Sequence, residues 1–122
     1  MDILRKTDLK DLIGLQDGYC VSLYLPTHRV GREQQQDPIR LKNLLNRAEQ
    51  ELTTQGVRSP DAITLLQPGL DLLSNSDFWQ HQSDGLAVFL SPDRFQTYRL
   101  PQSFEELIVI ADHFHIKPLY RC

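Results

Sequence analysis

The sequence predicts an α/β (α+β) sandwich, in which a mixed, largely antiparallel sheet of four to five strands packs with three to four helices. Three observations favour this fold class. One strand pattern precedes the helical patterns, several strand patterns follow them at close spacing, and the connections after Leu90 are too short for crossover helices. A purely parallel sheet is therefore not expected.

The first part of the chain predicts a helix followed by a central strand. Residues 3–15 are expected to form the helix, whose apolar stripe consists of Leu9, Leu12 and Ile13. Residues 19–25 are rich in β-branched and aromatic types and predict a largely buried strand that ends at Pro26. Residues 26–37 are polar and predict an exposed loop.

Two further helices are predicted from their start and stop signals. The first has Asp37 as its N-cap and ends at Gly56. Its apolar residues recur at helical spacing and are expected to face a core: Leu41, Leu44, Leu45, Ala48 and Leu52. The second opens at Ser59-Pro60, and Pro68-Gly69 is expected to kink or interrupt it.

The second half of the chain predicts a helical turn and then strands. The turn covers residues 77–80, and the strands cover residues 86–90, 95–100, 106–111 and 114–119. The closely spaced strands predict an antiparallel meander. Phe89 and Phe95 are expected in the core, whereas Trp79 and Tyr98 fit either a core or a base-stacking surface.

Length and composition predict one cytoplasmic domain that covers residues 1–122. No apolar run approaches the length of a membrane span, the N-terminus has no signal-peptide core, and the two cysteines lie far apart. The formal net charge of −3 is unevenly distributed. Residues 26–47 hold five basic and two acidic residues, a net charge of +3, which leaves −6 for the remainder.

This basic segment contains the candidate binding residues. Arg40, Asn43 and Arg47 share one stripe of the predicted helix, turned away from its leucines. Arg and Asn on a rigid helix beside a basic loop suit contacts to phosphate and sugar. The candidate phosphate-binding residues are His28, Arg29, Arg32, Arg40, Lys42, Asn43 and Arg47. The alternative is an ordinary solvated helix face.

Catalytic and metal chemistry have little support in the sequence. Neither a nucleophile motif nor a glycine-rich phosphate loop is present, so no enzyme activity and no cofactor are expected. His113 and His115 with Asp112 and Asp84 do not match known zinc spacings, so no metal site is expected. A hydrolase centred on Asp84, His113 and His115 remains as a third hypothesis.

Four stretches resemble one protein family. Residues 21–29 read VSLYLPTHR, residues 36–44 read QDPIRLKNL, residues 83–89 read SDGLAVF and residues 114–119 read FHIKPL. Together they resemble the N-terminal domain of the bacterial proteins related to archaeo-eukaryotic peptide-chain release factors. The resemblance implies an α/β sandwich that is the first domain of a longer protein associated with translation.

The resemblance does not extend to the family's decoding and hydrolytic signatures. The Asn-Ile-Lys-Ser motif is absent near residues 36–42, the Tyr-x-Cys-x-x-x-Phe motif is absent near Phe89, and no Gly-Gly-Gln occurs. The expected function is therefore non-catalytic binding to the ribosome or to transfer or ribosomal RNA backbone, without stop-codon decoding. The alternative is a protein-interaction or architectural domain that docks onto other domains of its parent or onto a second copy; the sequence leaves the oligomeric state open.

Overall fold

The computed structural model describes residues 2–3, 5–13 and 18–121. It contains one five-stranded sheet with helices on its faces, which confirms the predicted α+β class. The strands are β1 (Asp2–Ile3), β2 (Cys20–Pro26), β3 (Gly85–Ser91), β4 (Arg94–Leu100) and β5 (Leu107–Ala111). Their order is β1-β4-β3-β2-β5; strands β2 to β5 pair antiparallel, and only the two-residue β1 is parallel to its neighbour β4.

The α-helices of the described residues are α1 (Lys6–Ile13), α2 (Asp37–Thr54), α3 (Ser59–Asp71) and α4 (Ser76–Gln80). Short 3-10 helices cover Arg32–Gln36, Leu72–Ser74 and Lys117–Arg121. Gly56 ends α2 with φ of 101°, a left-handed conformation that favours glycine, as its predicted stop position requires.

One face of the sheet carries an aliphatic core beneath α2, α3 and α4. Alternating residues of β2 and β3 supply it from the sheet, and the predicted leucine stripe of α2 is fully buried against them. The contributing sheet residues are Val21, Leu23, Leu25, Leu86, Val88 and Leu90. This packing fixes α2 on the sheet, so its opposite side faces solvent.

The other face carries a second core that is rich in aromatic rings. Tyr24, Phe89, Tyr98 and Phe114 meet there with ring centroids 5.3 to 6.0 Å apart between neighbours. Leu12 of α1 is buried in the same cluster. Phe89 is therefore core, as predicted, and Tyr98 and Trp79 are buried as well, which excludes them as an exposed base-stacking surface. Phe95 packs half-buried against the aliphatic core.

The N-terminal segment differs from its prediction. Residues 2 and 3 pair with β4 as a strand, so the first helix begins at Lys6. Leu9 and Leu12 face the core, but Ile13 is 57% exposed. The predicted helix end at Leu15 lies outside the described residues.

Two helix details also differ. Asp37 is the first helical residue of α2 rather than its N-cap, and its carboxylate accepts from the His28 N–H. Pro68-Gly69 does not interrupt α3, which continues to Asp71 before a 3-10 turn. Gly69 lies where α3 packs on α2: a Cβ there would lie 3.0 Å from the end of the Leu45 side chain, which would have to shift slightly.

The meander prediction is right for β3 and β4, which pair antiparallel, but wrong for β5. β5 pairs with β2, on the opposite side of the sheet from β4. Residues 114–119 form no strand. The backbone N–H of His115 donates to Ser22 Oγ and its carbonyl accepts from the Tyr24 hydroxyl, so this segment crosses the face of the sheet. Phe114 and Leu119 are buried there. The segment therefore packs through these two side chains instead of forming the strand that its alternating pattern predicted.

Candidate nucleic-acid interface

The basic loop after β2 is docked on the segment that leads into β3. The backbone N–H of Thr27 donates to the carbonyl of Asp84 at 3.1 Å. The Thr27 hydroxyl donates to the carbonyl of Ser83 at 2.7 Å, and Thr27 itself is buried. The start of the loop is therefore fixed by the sheet, and the sequence separation of more than fifty residues hid this from sequence reasoning.

Asp37 organises the interior of the loop. Its carboxylate is fully buried; Oδ2 accepts from the backbone N–H of His28 at 2.8 Å, and Oδ1 lies 2.8 Å from His28 Nδ1. Arg40 Nη1 lies 3.5 Å from the same Oδ1, one helical turn along α2. Burial raises the pKa of the Asp37 carboxyl, and the contacts with His28 and Arg40 offset only part of that rise.

Further contacts fold the loop back on itself. His28 Nε2 lies 3.1 Å from Glu33, and the Gln34 amide donates to the carbonyls of His28 at 3.2 Å and Arg29 at 2.8 Å. Gly31 has φ of 92°, which allows the tight reversal between these partners. The loop is therefore an ordered hydrogen-bonded unit rather than an open chain.

Arg29 joins the loop to the start of β3 through an ion pair with Asp84. Its Nε lies 3.1 Å from Asp84 Oδ1, and the side chain is 64% exposed. Of the seven candidate residues, the structure thus places His28, Arg29 and Arg40 in contact with carboxylates of the protein itself. We call these three residues with Asp37 the inner cluster.

The other four candidates form an outer group that is exposed to solvent: Arg32, Lys42, Asn43 and Arg47. Within the described part of the chain, the three cations of this group have no carboxylate within ion-pairing distance. Asn43 and Arg47 lie on the predicted stripe of α2. Lys42 is five residues from Arg47, which places it about 140° round the helix axis, on the opposite flank of the exposed face.

An open pocket next to the loop, with a mainly apolar lining, was not predicted. It has a volume of about 390 Å³ and lies between the 3-10 helix, the start of α2 and α4. Its lining is Gln34, Gln35, Pro38, Leu73, Ser74, Ser76, Trp79 and Gln80. The indole N–H of Trp79 donates to the Leu72 carbonyl at 2.7 Å, and the Gln34 amide N–H groups donate to the loop, so Gln35, Gln80 and the two serines supply the remaining polar groups. From the sequence, the run of glutamines predicts only an exposed loop. The pocket also needs α4, which is distant in the sequence, so local patterns do not reveal it.

Asp84 and His113 of the third hypothesis lie at opposite ends of β2. Asp84 lies beside Thr27, after the C-terminal end of β2, where it pairs with Arg29. Asp112 and His113 follow Ala111, which pairs with Cys20 at the other end of β2. Among the residues with described positions, no group of three His, Cys, Asp or Glu side chains is arranged to hold a metal ion. The geometry therefore gives the proposed hydrolase centre no assembled site.

Comparisons with known proteins add no assignment. No protein-family model matches the chain, and no curated protein matches it. The resemblance to release-factor-related domains therefore stays a prediction. None of the helices in the described residues combines the length and apolar character of a membrane span.

Proposed function

We propose that this domain binds RNA through its phosphate backbone, using the outer group on α2 and the adjacent loop, and that it catalyses no reaction. The observation that carries the proposal is the set of three exposed cations, Arg32, Lys42 and Arg47, for which the described residues provide no carboxylate partner. Such cations are available to an external anion without first breaking an internal ion pair.

Phosphate is the ligand that this chemistry fits best. Arg donates two parallel hydrogen bonds to phosphate oxygens, Lys adds a compact charge, and Asn43 donates to phosphate or a ribose hydroxyl. Arg32 comes from the hydrogen-bonded loop and Arg47 from a helix whose other side is fixed in the core, so the backbone that carries each cation is held in place. The position of Lys42 on the other flank of α2 favours a ligand that wraps the helix, as a folded RNA backbone does, over a single small anion.

The adjacent open pocket suits an unstacked base, whose ring would contact its mainly apolar lining. Its volume of about 390 Å³ falls within the range of small-ligand sites, and its glutamine and serine side chains offer donors and acceptors. Single-stranded and looped RNA presents such groups beside its phosphates.

The resemblance of residues 21–29 and 36–44 to release-factor-related domains makes ribosomal or transfer RNA the preferred ligand. Because the decoding and Gly-Gly-Gln signatures are absent from the sequence, the proposed role is attachment to the translation machinery rather than codon reading or hydrolysis. Fold kinship alone would not support this role, and the exposed cations are the independent support.

Binding of fluorescently labelled transfer RNA, measured by anisotropy, and co-sedimentation with purified ribosomes test the proposal. The double variant Lys42→Glu with Arg47→Glu is expected to weaken binding at least about tenfold at moderate salt, because two phosphate contacts become repulsive. Arg40 is left unchanged because it contacts the buried Asp37.

The matched control is Arg58→Glu with Lys117→Glu, which changes the net charge equally at two exposed residues outside α2 and the loop that precedes it. Its affinity is expected to stay close to that of the wild type. Absence of binding by the wild-type protein, or equal losses in both double variants, would contradict the proposal.

A further inference from the structure

The outer edge of β5 is an unprotected strand edge. Residues 107–111 read LIVIA, and among the described residues only β2 pairs with this strand. The alternate N–H and C=O groups on its other side are therefore left for another partner. Edge strands are usually blunted by a charged residue or a proline, and β5 contains neither.

The side chains of β5 are only partly covered. Leu107 is 37% exposed, and Ile108, Val109, Ile110 and Ala111 are half-buried. Pairing with an added strand would stabilise β5 in two ways. Backbone hydrogen bonds would form along its free edge, and apolar surface would be removed from water.

A cavity lies at each end of the strand. At its start, a cavity of about 390 Å³ is lined by Phe104, Leu107 and Pro118 together with Glu105 and Glu106. At its end, a cavity of about 400 Å³ is lined by Tyr19, Gln55, Ala111 and Asp112 with Gly18. Each cavity thus combines an aromatic ring with at least one carboxylate, which suits the aliphatic stem and cationic head of Lys or Arg.

The carboxylates at both ends are exposed, and the one at the end of the strand contacts a neighbouring histidine. His113 hydrogen-bonds to Asp112 at 2.7 Å and lowers the pKa of that carboxyl through the hydrogen bond and through its charge. Glu105 and Glu106 are exposed, and neither has an ion-pair partner among the described residues.

We propose that β5 binds an extended segment of a partner protein as a sixth strand, and that this segment has an apolar centre with a basic residue near each end. The backbone pairing supplies affinity, and the two acidic cavities select the basic side chains. Glu106 and Asp112 are six residues apart, so the two basic residues should be separated by about 20 Å of extended chain.

A second copy of the domain fits this edge less well. The only antiparallel register that pairs all five residues of two β5 strands is centred on Val109. That register places Glu106 of each copy opposite Asp112 of the other, and like charges directly opposite are destabilising. RNA is also disfavoured, because the carboxylates at both ends repel phosphate. This surface is separate from the outer group on α2, and the proposal does not depend on RNA binding.

The test uses a labelled, end-capped peptide of sequence KVTVTVK and the full chain, with binding measured by anisotropy. The peptide should bind, and N-methylation of its alternate backbone amides on the pairing edge should weaken binding by about tenfold or more, because the ladder hydrogen bonds are lost. Equal affinity of the N-methylated peptides, or absence of binding at millimolar concentrations, would overturn the proposal.

Charge reversal supplies the specific control. Glu106→Lys with Asp112→Lys should weaken binding of KVTVTVK by about tenfold and confer binding of the reversed peptide EVTVTVE. Glu51→Lys with Asp61→Lys, at exposed positions on α2 and α3, should do neither. If light scattering instead detects a dimer that Leu107→Lys dissociates, the edge belongs to a second copy and the peptide proposal fails.

Discussion

His28, Arg29 and Arg40 lie close in the chain to Arg32, Lys42 and Arg47, yet the structure gives the two sets different partners. The cations of the inner cluster contact Asp37, Glu33 and Asp84 of the protein itself. The cations of the outer group are exposed, with no carboxylate beside them in the described residues. A net charge counted along a segment therefore overstates the charge available to a ligand, and the two sets should respond differently to mutation.

The largest effect is expected from removing the buried carboxylate. Asp37→Ala leaves the backbone N–H of His28 without its acceptor and removes the carboxylate beside Arg40, so the free energy of unfolding should fall by about 2 to 4 kcal/mol. Urea denaturation measures this change. The comparison variant is Asp84→Ala, which removes an exposed partner of Arg29 and should cost less than about 1 kcal/mol. Similar stabilities of the two variants would show that Asp37 does not organise the loop.

The same carboxylate should give the inner cluster a distinctive pH dependence. Because the pKa of Asp37 is raised in the folded state, the folded protein binds more protons than the unfolded chain between the unfolded and folded pKa values. The contribution of Asp37 to stability is therefore fully present below its unfolded pKa and is lost as the pH rises through the folded pKa.

Unfolding free energies of the wild type and Asp37→Asn, measured from pH 3.5 to pH 7, test this sign, since the asparagine cannot titrate. The wild type should lose stability relative to the variant as the pH rises. A difference that stays constant, or that grows in favour of the wild type with rising pH, would mean that the ion pairs outweigh burial.

Two single substitutions, one in each set, should affect different properties: RNA binding in the outer group and stability in the inner cluster. Arg47→Gln should weaken transfer RNA binding by about 1 kcal/mol and leave the unfolding free energy unchanged, because Arg47 contacts solvent. Arg40→Gln should lower the unfolding free energy by about 1 kcal/mol, because it removes a cation beside the buried Asp37. Loss of stability in Arg47→Gln, or the same binding loss in both variants, would remove the distinction.

The smallest effect is expected at Arg29. Arg29→Gln removes an exposed ion pair with Asp84 and should change the unfolding free energy by less than about 0.5 kcal/mol. Its effect on RNA binding should lie below that of Arg47→Gln, because its charge is partly neutralised by Asp84. An RNA-binding loss larger than that of Arg47→Gln would place Arg29 in the outer group.

The sequence predicted correctly the features that depend on the residue pattern of a single helix or strand. The leucine stripe of α2 and the apolar run of β2 each require burial regardless of what covers them, and both were predicted. The exposure of Asn43 and Arg47 followed from the same helical periodicity. These features depend on local spacing, which the sequence displays directly.

The predictions were wrong where a residue contacts another segment of the chain instead of serving its own helix or strand. Asp37 resembles a helix cap, but His28 holds its side chain, and residues 114–119 alternate like a strand but bury Phe114 and Leu119 on the sheet face. The pairing of Arg29 with Asp84 joins positions 55 residues apart. Periodicity carries no information on such contacts, so the division of the seven candidates into inner cluster and outer group required the structure.

The salt dependence of RNA binding tests the central claim most directly. If Arg32, Lys42 and Arg47 contact three phosphates, the logarithm of the binding constant should fall with the logarithm of salt concentration with a slope of about −2 to −3. That slope corresponds to a loss of roughly 16- to 64-fold between 50 and 200 mM salt. In Lys42→Gln with Arg47→Gln the slope should shrink to about −1. An unchanged slope in the double variant, or wild-type binding that is insensitive to salt, would contradict phosphate recognition by the outer group.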